Sequence, residues 1–415
     1  NYKYKVSIME LSRLEERIND IRLNIHQPDG QVMHLGHHGP EINWHIHHPH
    51  TLHAIDRRPE LNLGRSYVNG EWDIDSIHLS DLITTLVPRQ SMPGLLDSRP
   101  CLRRLRARLP QLRKRATRTH WQDFSPWLSR TCLGDALFHN CARYSEAGTT
   151  TEQAQRLTAQ QLADRLQLNA GHHLLDLTAG WGALPLFLAE HFGVRVTAMV
   201  SSREQLQYAH GEARRRGLDS QIHYRLGSFH QCRGRFDRIL ASGFLEQFTE
   251  TTYPALFQHI EHLLDEEGFA WLQVRGRSNS AGLSHQWHRQ QLPERHSVPL
   301  LSDICVGIER SHLRQLQTED YSSYWRKDLY TQARRYHRHR SYISQRFGET
   351  RTRYWEFLLA SEISAADRGQ LRQYDLLLGQ ARCHWPAANR QQLAEYQLPE
   401  TIARQIPGLV TLRSN

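Results

Sequence analysis

Five short apolar runs, HHLLDL, VRVTAMV, IHYRL, FDRILAS and GFAWLQV, recur between residues 172 and 274 with helical patterns among them. Each reads as a short buried strand. Their alternation with helices argues for a doubly wound α/β domain built on a parallel sheet. Past residue 276 the chain turns polar and rich in Arg and His, still with helical patterning, and then offers QLRQYDLLLGQA as a last strand. No repeat of fixed period is visible.

The chain has 415 residues, more than one core usually serves, so two or three domains are expected. Residues 21–86 alternate short apolar runs with turn signals, as in IRLNIHQPDGQVMHLG and LNLGRSYVNGEWDI, and predict a small strand-rich α+β domain with helical ends over 1–86. Residues 87–120 form a basic linker holding RPCLRRLRARLPQLRKRATRTH, where Leu102, Leu105 and Leu109 recur at helical spacing until Pro110 interrupts. The main domain then spans 121–392, and 393–415 is a C-terminal tail.

Lys and Arg number 52 against 43 Asp and Glu, a formal net charge of +9 that points to an anionic partner. The linker lacks the interleaved aromatics that stack on bases, and no recognition-helix or zinc-finger pattern accompanies it, so nucleic acid is disfavoured. Two readings remain, a solvated linker and a contact with an anionic phospholipid surface, the latter through Arg103, Arg104, Arg106 and Arg108, each worth about 1 kcal/mol near an anionic bilayer. No apolar run approaches the length of a membrane span and the first residues carry no signal-peptide core, so any membrane contact is expected to be peripheral. Six cysteines without CxxC spacing suggest neither a disulfide framework nor a zinc ribbon, which fits a reducing cytoplasm and the inner face of the membrane. The run HLGHHGPEINWHIHHPHTLH is dense in imidazole, but without cysteine partners it reads as solvated surface histidine, and no metal site is expected.

The stretch LLDLTAGWGAL, 174–184, carries the chemistry. Leu174 and Leu175 end a buried strand, Asp176 is the first acid at its carboxyl end, and Gly180 and Gly182 let the backbone turn tightly beneath a ligand before the next helix. A GxGxxG spacing is absent, which disfavours a dinucleotide. The form Asp, any, small, any, Gly, any, Gly resembles the cofactor loop of S-adenosylmethionine-dependent methyltransferases.

Beyond that loop, the sequence resembles the cyclopropane-fatty-acyl-phospholipid synthase family over nearly its whole length. LNLGRSYVNGEWDI is similar to the family's N-terminal signature through Gly64, Tyr67, Gly70, Glu71, Trp72 and Asp73. HNCARYSEAGTTTEQAQ is similar to the segment that opens its catalytic domain, with Cys141 beside the reacting centre. LDLTAGWGAL matches the cofactor loop, VSSREQ the second-strand turn through Ser202 and Gln205, and FDRILASGFLEQF the fourth strand and its turn through Glu246; EDYSSYW places Tyr321 where the family has an active-site tyrosine.

The resemblance implies a Rossmann-like class I methyltransferase domain with a helical insertion. It implies S-adenosylmethionine as cofactor and an unsaturated acyl chain of a membrane phospholipid as substrate. A methyl is transferred to the cis double bond, and loss of a proton closes a cyclopropane ring or leaves a methyl branch. Cofactor contacts are expected from Asp176, Thr178, Gly180, Gly182, Gln205, Ser228 and Phe229. The base is expected to be a bound bicarbonate, held by groups that here align with Cys141, Glu246, Tyr321 and the main chain near Gln273 to Arg275.

The sequence departs from the family at this site. Thr178 and Ala179 replace a glycine and a cysteine, His139 and Asn140 a tyrosine and a serine, and Gln247 and Gln273 two histidines, while Arg275 stands where an apolar residue is usual. Glutamine donates a hydrogen bond but does not titrate, whereas a guanidinium can clamp an oxyanion. The expectation is therefore an altered but working methyltransferase, with a non-catalytic lipid-binding or partner subunit as the alternative. A homodimer is a candidate assembly, since two-fold dimers are the commonest soluble oligomers.

Overall fold

A computed structural model describes residues 20–87, 125–134, 137–138, 141–144, 148–278 and 298–385, together with Glu15, Ile18 and Trp287. Arg103, Arg104, Arg106 and Arg108, and the tail 393–415, lie outside the described residues, as do His139 and Asn140.

The N-terminal unit begins with β1 (Arg22–His26), β2 (Val32–Leu35) and β3 (Glu41–Ile46), continues through α1 (Thr51–Arg57) and α2 (Pro59–Val68), and closes with β4 (Trp72–Ile74) and α3 (Leu79–Leu86). Its sheet runs β2-β1-β3-β4. Leu23, Ile25, Ile42, Trp44 and Ile46 alternate inward, as expected of a sheet covered on one face. The imidazoles of the histidine run belong largely to the opposite, exposed face, with His47 paired to Asp73 at 2.7 Å.

LNLGRSYV, which the sequence presents as part of a strand-and-turn pattern, is helix α2 instead. Pro59 starts it, and Leu61, Gly64 and Tyr67 recur every third residue on its buried side. These residues of the N-terminal signature dock the unit onto the main domain.

The main domain holds α4 (Pro126–Leu133), α5 (Thr151–Arg165), β5 (His173–Asp176), α6 (Ala183–Phe192), β6 (Arg195–Val200), α7 (Arg203–Arg215), β7 (Ile222–Leu226), β8 (Phe236–Ser242), α8 (Tyr253–Leu263), β9 (Leu264–Arg277) and α9 (Leu301–Glu309). There follow β10 (Arg314–Asp320), the helical insertion α10 (Ser322–Arg338), α11 (Arg340–Phe347) and α12 (Glu349–Asp367), and β11 (Leu371–Gly379). The seven strands lie in the order β10-β11-β9-β8-β5-β6-β7. Strands β9, β8, β5, β6 and β7 are mutually parallel, and β11 runs against both β9 and β10.

All five expected strands and the expected last strand are present. The seventh, β10 (RQLQTED), carries no sequence signal because it is a half-exposed edge strand with a single apolar residue.

Helix α12 joins the two units. Phe357, Leu358 and Ala360 belong to the N-terminal core, and a Cβ on Gly64 would come within 2.7 Å of Phe357 and Trp287, so only glycine permits that approach. Tyr67 Oη donates to Glu356 Oε2 at 2.7 Å; Arg353 donates to the carbonyls of Tyr67 and Trp72 at 3.1 Å each and pairs with Asp73.

Candidate functional site

The central strands end in a cavity lined by Leu137, Asp176, Thr178, Ala179, Leu184, Leu240 and Ser242. It lies where the chain order reverses between β5 and β8, the place at which open α/β sheets bind ligands. Asp176 is buried at the mouth of the turn and accepts from Thr178 N at 2.8 Å; burial raises its carboxyl to about 7, and the Thr178 N–H partly offsets this.

The substitutions in the turn are absorbed by hydrogen bonds. Thr178 Oγ1 accepts from Ser242 N at 2.8 Å, tying β5 to the end of β8, while Ala179 N donates to Met199 O at 3.0 Å, tying it to β6. Gly180 (φ 55°) and Gly182 (φ 83°) occupy the left-handed region. A Cβ on Gly182 would lie 2.8 Å from Ala209 Cβ and from Tyr224 Oη. Trp181 is buried and donates to Ser129 Oγ at 3.0 Å, which seats α4 beside the turn.

The outer residues expected to contact the cofactor are placed differently from one another. Gln205 Oε1 accepts from Ser201 N (3.0 Å) and Ser201 Oγ (2.7 Å), and Ser202 caps α7 by accepting from Gln205 N at 3.1 Å, so this pair braces the second-strand turn. Ser228 N donates to Gln231 Oε1 at 3.0 Å in the turn after β7. Phe229, expected among the cofactor contacts, is buried edge-on against Phe244 and His259, at centroid separations of 5.1 and 4.5 Å, and with Cys232 it closes the core beneath this turn.

The reacting-centre candidates fall into two groups at the carboxyl ends of β8 and β9. In the first, Gln273 Oε1 accepts from Cys141 N at 2.8 Å and Gln273 Nε2 donates to Asp375 Oδ1 at 2.9 Å. Both ends of the amide are engaged, and Gln273 is buried. The Cys141 thiol lies beside Tyr321 O (3.9 Å) and is pushed well up by burial and by the nearby carboxyls of Asp328 and Asp375, so it is a neutral thiol. Tyr321 is buried, with the Arg143 and Arg165 guanidiniums 6.0 and 5.8 Å from its ring centroid; burial pushes its phenol up to about 12 against the pull of Arg165.

In the second group, Glu246 Oε1 accepts from Arg275 N at 2.6 Å, whereas Oε2 is buried and makes no hydrogen bond. Burial raises the Glu246 carboxyl; the Arg275 guanidinium, 3.9 Å away, lowers it in part. Arg275, expected as a free anion clamp, instead donates to Glu362 Oε1 at 2.7 Å. A guanidinium flanked by two carboxylates has its charge already matched. Gln247 is exposed and donates to Gly243 O at 3.2 Å.

Glu362, Asp375, Asp328 and Leu137 join the site without any sequence signal. Glu362 sits on α12 and Asp375 on β11, too far along the chain for spacing to connect them. Asp328, on α10, accepts from Ala142 N at 2.7 Å and Tyr144 Oη at 2.5 Å, and burial raises its carboxyl to about 7. Leu137 takes a left-handed φ of 52°, uncommon for a leucine, where it walls the cavity.

Comparison with known proteins shows what the chain is similar to. The model of the mycolic acid cyclopropane synthetase family matches residues 111–374, more than half of the chain. A cyclopropane-fatty-acyl-phospholipid synthase of Escherichia coli K12 is 27% identical over 271 residues, covering 64% of this chain and 69% of the relative. A probable fatty acid methyltransferase of Pseudomonas putida is 23% identical over 368 residues, covering 84% and 89%. Among solved structures, the mycolic acid cyclopropane synthase CmaA1 complexed with SAH and CTAB superposes with a TM-score of 0.58 at 18% identity, covering 63% of this chain and 96% of that one.

Proposed function

Because the chain belongs to the mycolic acid cyclopropane synthetase family, and is thereby an S-adenosylmethionine-dependent methyltransferase, we propose that it methylates the cis double bond of an unsaturated acyl chain in a membrane phospholipid, forming a cyclopropane or a methyl branch. When bound, S-adenosylmethionine supplies an electrophilic methyl group on a sulfonium centre. A cofactor of this kind would be held at the switch point of the sheet, by Asp176, Thr178 and the Gly180–Gly182 turn from β5 and by Ser242 from β8.

One observation carries the chemistry: a buried glutamate, Glu246, keeps an oxygen that makes no hydrogen bond. Methyl transfer to an alkene leaves positive charge on the acyl chain, and a proton must then depart from the new methyl for a ring to close. Glu246 Oε2 is the proton acceptor in this reading. Arg275 N fixes the other carboxylate oxygen, and its guanidinium favours the ionised form that burial opposes. Water would trap the cationic acyl chain, and the buried apolar walls around Leu137, Leu184 and Leu240 exclude it.

Bicarbonate does not fit as an arginine-held anion, since Arg275 is paired with Glu362 and both polar ends of Gln273 are engaged. The net charge of +9 and the basic segment within 87–120 support an anionic bilayer surface as the place where substrate is met. Among the described residues no helix is long and apolar enough to cross a membrane.

The test is transfer of labelled methyl from S-adenosylmethionine to vesicles of unsaturated or saturated phospholipid, with mass analysis of the released fatty acids. Labelled, one-carbon-longer acyl chains from the unsaturated vesicles alone are expected. Cofactor binding by calorimetry without transfer to any unsaturated lipid would replace this reading with the non-catalytic one.

A further inference from the structure

A cleft separates the N-terminus of α5 from one side of α10, with Tyr144 in its lining. Lys327, Thr331, Arg334 and Arg338 follow one another at intervals of four, three and four residues, so they form a single stripe along α10, and all four line the cleft. Facing them, Thr150 and Thr151 begin α5, where Thr150 Oγ1 accepts from Gln153 N at 3.2 Å and Gln153 Oε1 from Thr150 N at 3.0 Å.

The charge in this cleft is unbalanced. Glu152 is the one carboxylate among the lining residues, and it is already paired, accepting from Arg335 Nη2 at 2.6 Å. No carboxylate of the described residues pairs with Lys327, Arg334 or Arg338. Lys327 Nζ rests 3.9 Å from the centroid of the Tyr144 ring, and Arg334 Nη2 donates to Thr331 Oγ1 at 3.4 Å. Three exposed cations gathered on one cleft match the charge and donors that a phosphate group needs.

The cleft is also joined to the reacting centre. The Tyr144 hydroxyl donates to Asp328 Oδ1 at 2.5 Å, and Asp328 Oδ2 accepts from Ala142 N at 2.7 Å, next to Cys141. A ligand seated on Lys327 and Tyr144 is therefore registered against the segment that carries Cys141.

We propose that this cleft binds a phosphate group and that, in the reaction, it takes the phosphate of the substrate's phospholipid headgroup; the second half rests on the lipid-methylation reading above. The headgroup would be held at the cleft while its acyl chain enters the site.

The test compares unsaturated phosphatidylglycerol with unsaturated diacylglycerol, both in uncharged detergent micelles so that bilayer charge plays no part. The double variant Arg334→Ala with Arg338→Ala is set beside Arg334→Lys with Arg338→Lys, each checked for an unchanged melting transition. For the alanine pair, KM for phosphatidylglycerol is expected to rise about tenfold or more, with kcat within about twofold and diacylglycerol kinetics unmoved; the lysine pair should recover most of the loss. Equal effects on the two substrates, or none, would overturn the headgroup site. Calorimetric titration with glycerol phosphate and with inorganic phosphate separates the remaining cases. Binding that the alanine pair abolishes while lipid KM stays fixed makes the ligand a soluble phosphate and overturns the lipid assignment. If the wild type methylates no lipid, the function proposed above fails, yet loss of glycerol phosphate binding in the alanine pair still sustains a phosphate site, and absence of binding in the wild type overturns it.

Discussion

Gln273 Oε1 accepts from the main-chain N–H of Cys141 at 2.8 Å, a bond that spans 132 residues of sequence and fixes the Cys141 segment to the fifth strand of the sheet. Where the family resemblance places a titrating histidine, this chain has an amide bonded at both ends.

Gln273→Leu leaves the Cys141 N–H and the Asp375 carboxyl without their partner in a buried site. A loss of about 2–4 kcal/mol in chemical denaturation is expected. A cost near zero would mean that the bond does not hold the segment in place.

Arg275→Ala and Glu246→Gln separate structure from chemistry. Removing the guanidinium takes from the buried Glu362 its 2.7 Å ion-pair partner, at a cost of about 3–5 kcal/mol, so this variant should lose stability together with activity. Glu246→Gln keeps the shape and removes the proposed proton acceptor, and methyl transfer should fall by roughly 10²–10⁴-fold with the melting temperature nearly unchanged. Wild-type rates in Glu246→Gln would remove this residue from the reaction.

Gly180→Val forces a β-branched residue into a left-handed conformation beneath the cofactor cavity. Affinity for S-adenosylmethionine is expected to drop at least about tenfold, alongside a stability loss of about 1–3 kcal/mol. Unaltered calorimetric affinity would detach the turn from cofactor binding.

Asp328, with its carboxyl raised to about 7, sets a pH dependence. A raised carboxyl keeps its proton in the folded state at pH values where the unfolded chain has lost it. Its contribution is full below the unfolded value, declines as pH rises from about 4 to about 7, and is flat above that. Asp328→Asn mimics the protonated form, so the wild type should lose ground to the variant across this window by at most about 1.4 kcal/mol per pH unit. A difference independent of pH, measured by urea denaturation, would show that Asp328 does not titrate in this way.

Period and apolarity alone marked β5, β6, β7, β8, β9 and β11, because each buries apolar residues in the core, even the edge strand β7 through Ile222 and Tyr224. They also marked the glycine turn, since only glycine suits Gly180 and Gly182 there. The edge strand β10 escaped notice for the converse reason: half exposed, it has no apolar pattern to show. LNLGRSYV was legible as a motif but not as a helix, and its purpose became clear only when Gly64 and Tyr67 met Phe357 and Glu356 some 290 residues later in the chain.

The sequence by itself determined the sheet, the cofactor turn and the family, all of which are local or repetitive signals. Tertiary structure decided what each polar residue does. A free Arg275 and a paired one have the same sequence, and it took α12 bringing Glu362 within 2.7 Å to make it a bound charge and leave Glu246 Oε2 as the unbonded group. Hydrogen-bond partners at such separations are fixed by the packing of whole elements, and a buried donor or acceptor takes whichever complementary group that packing delivers.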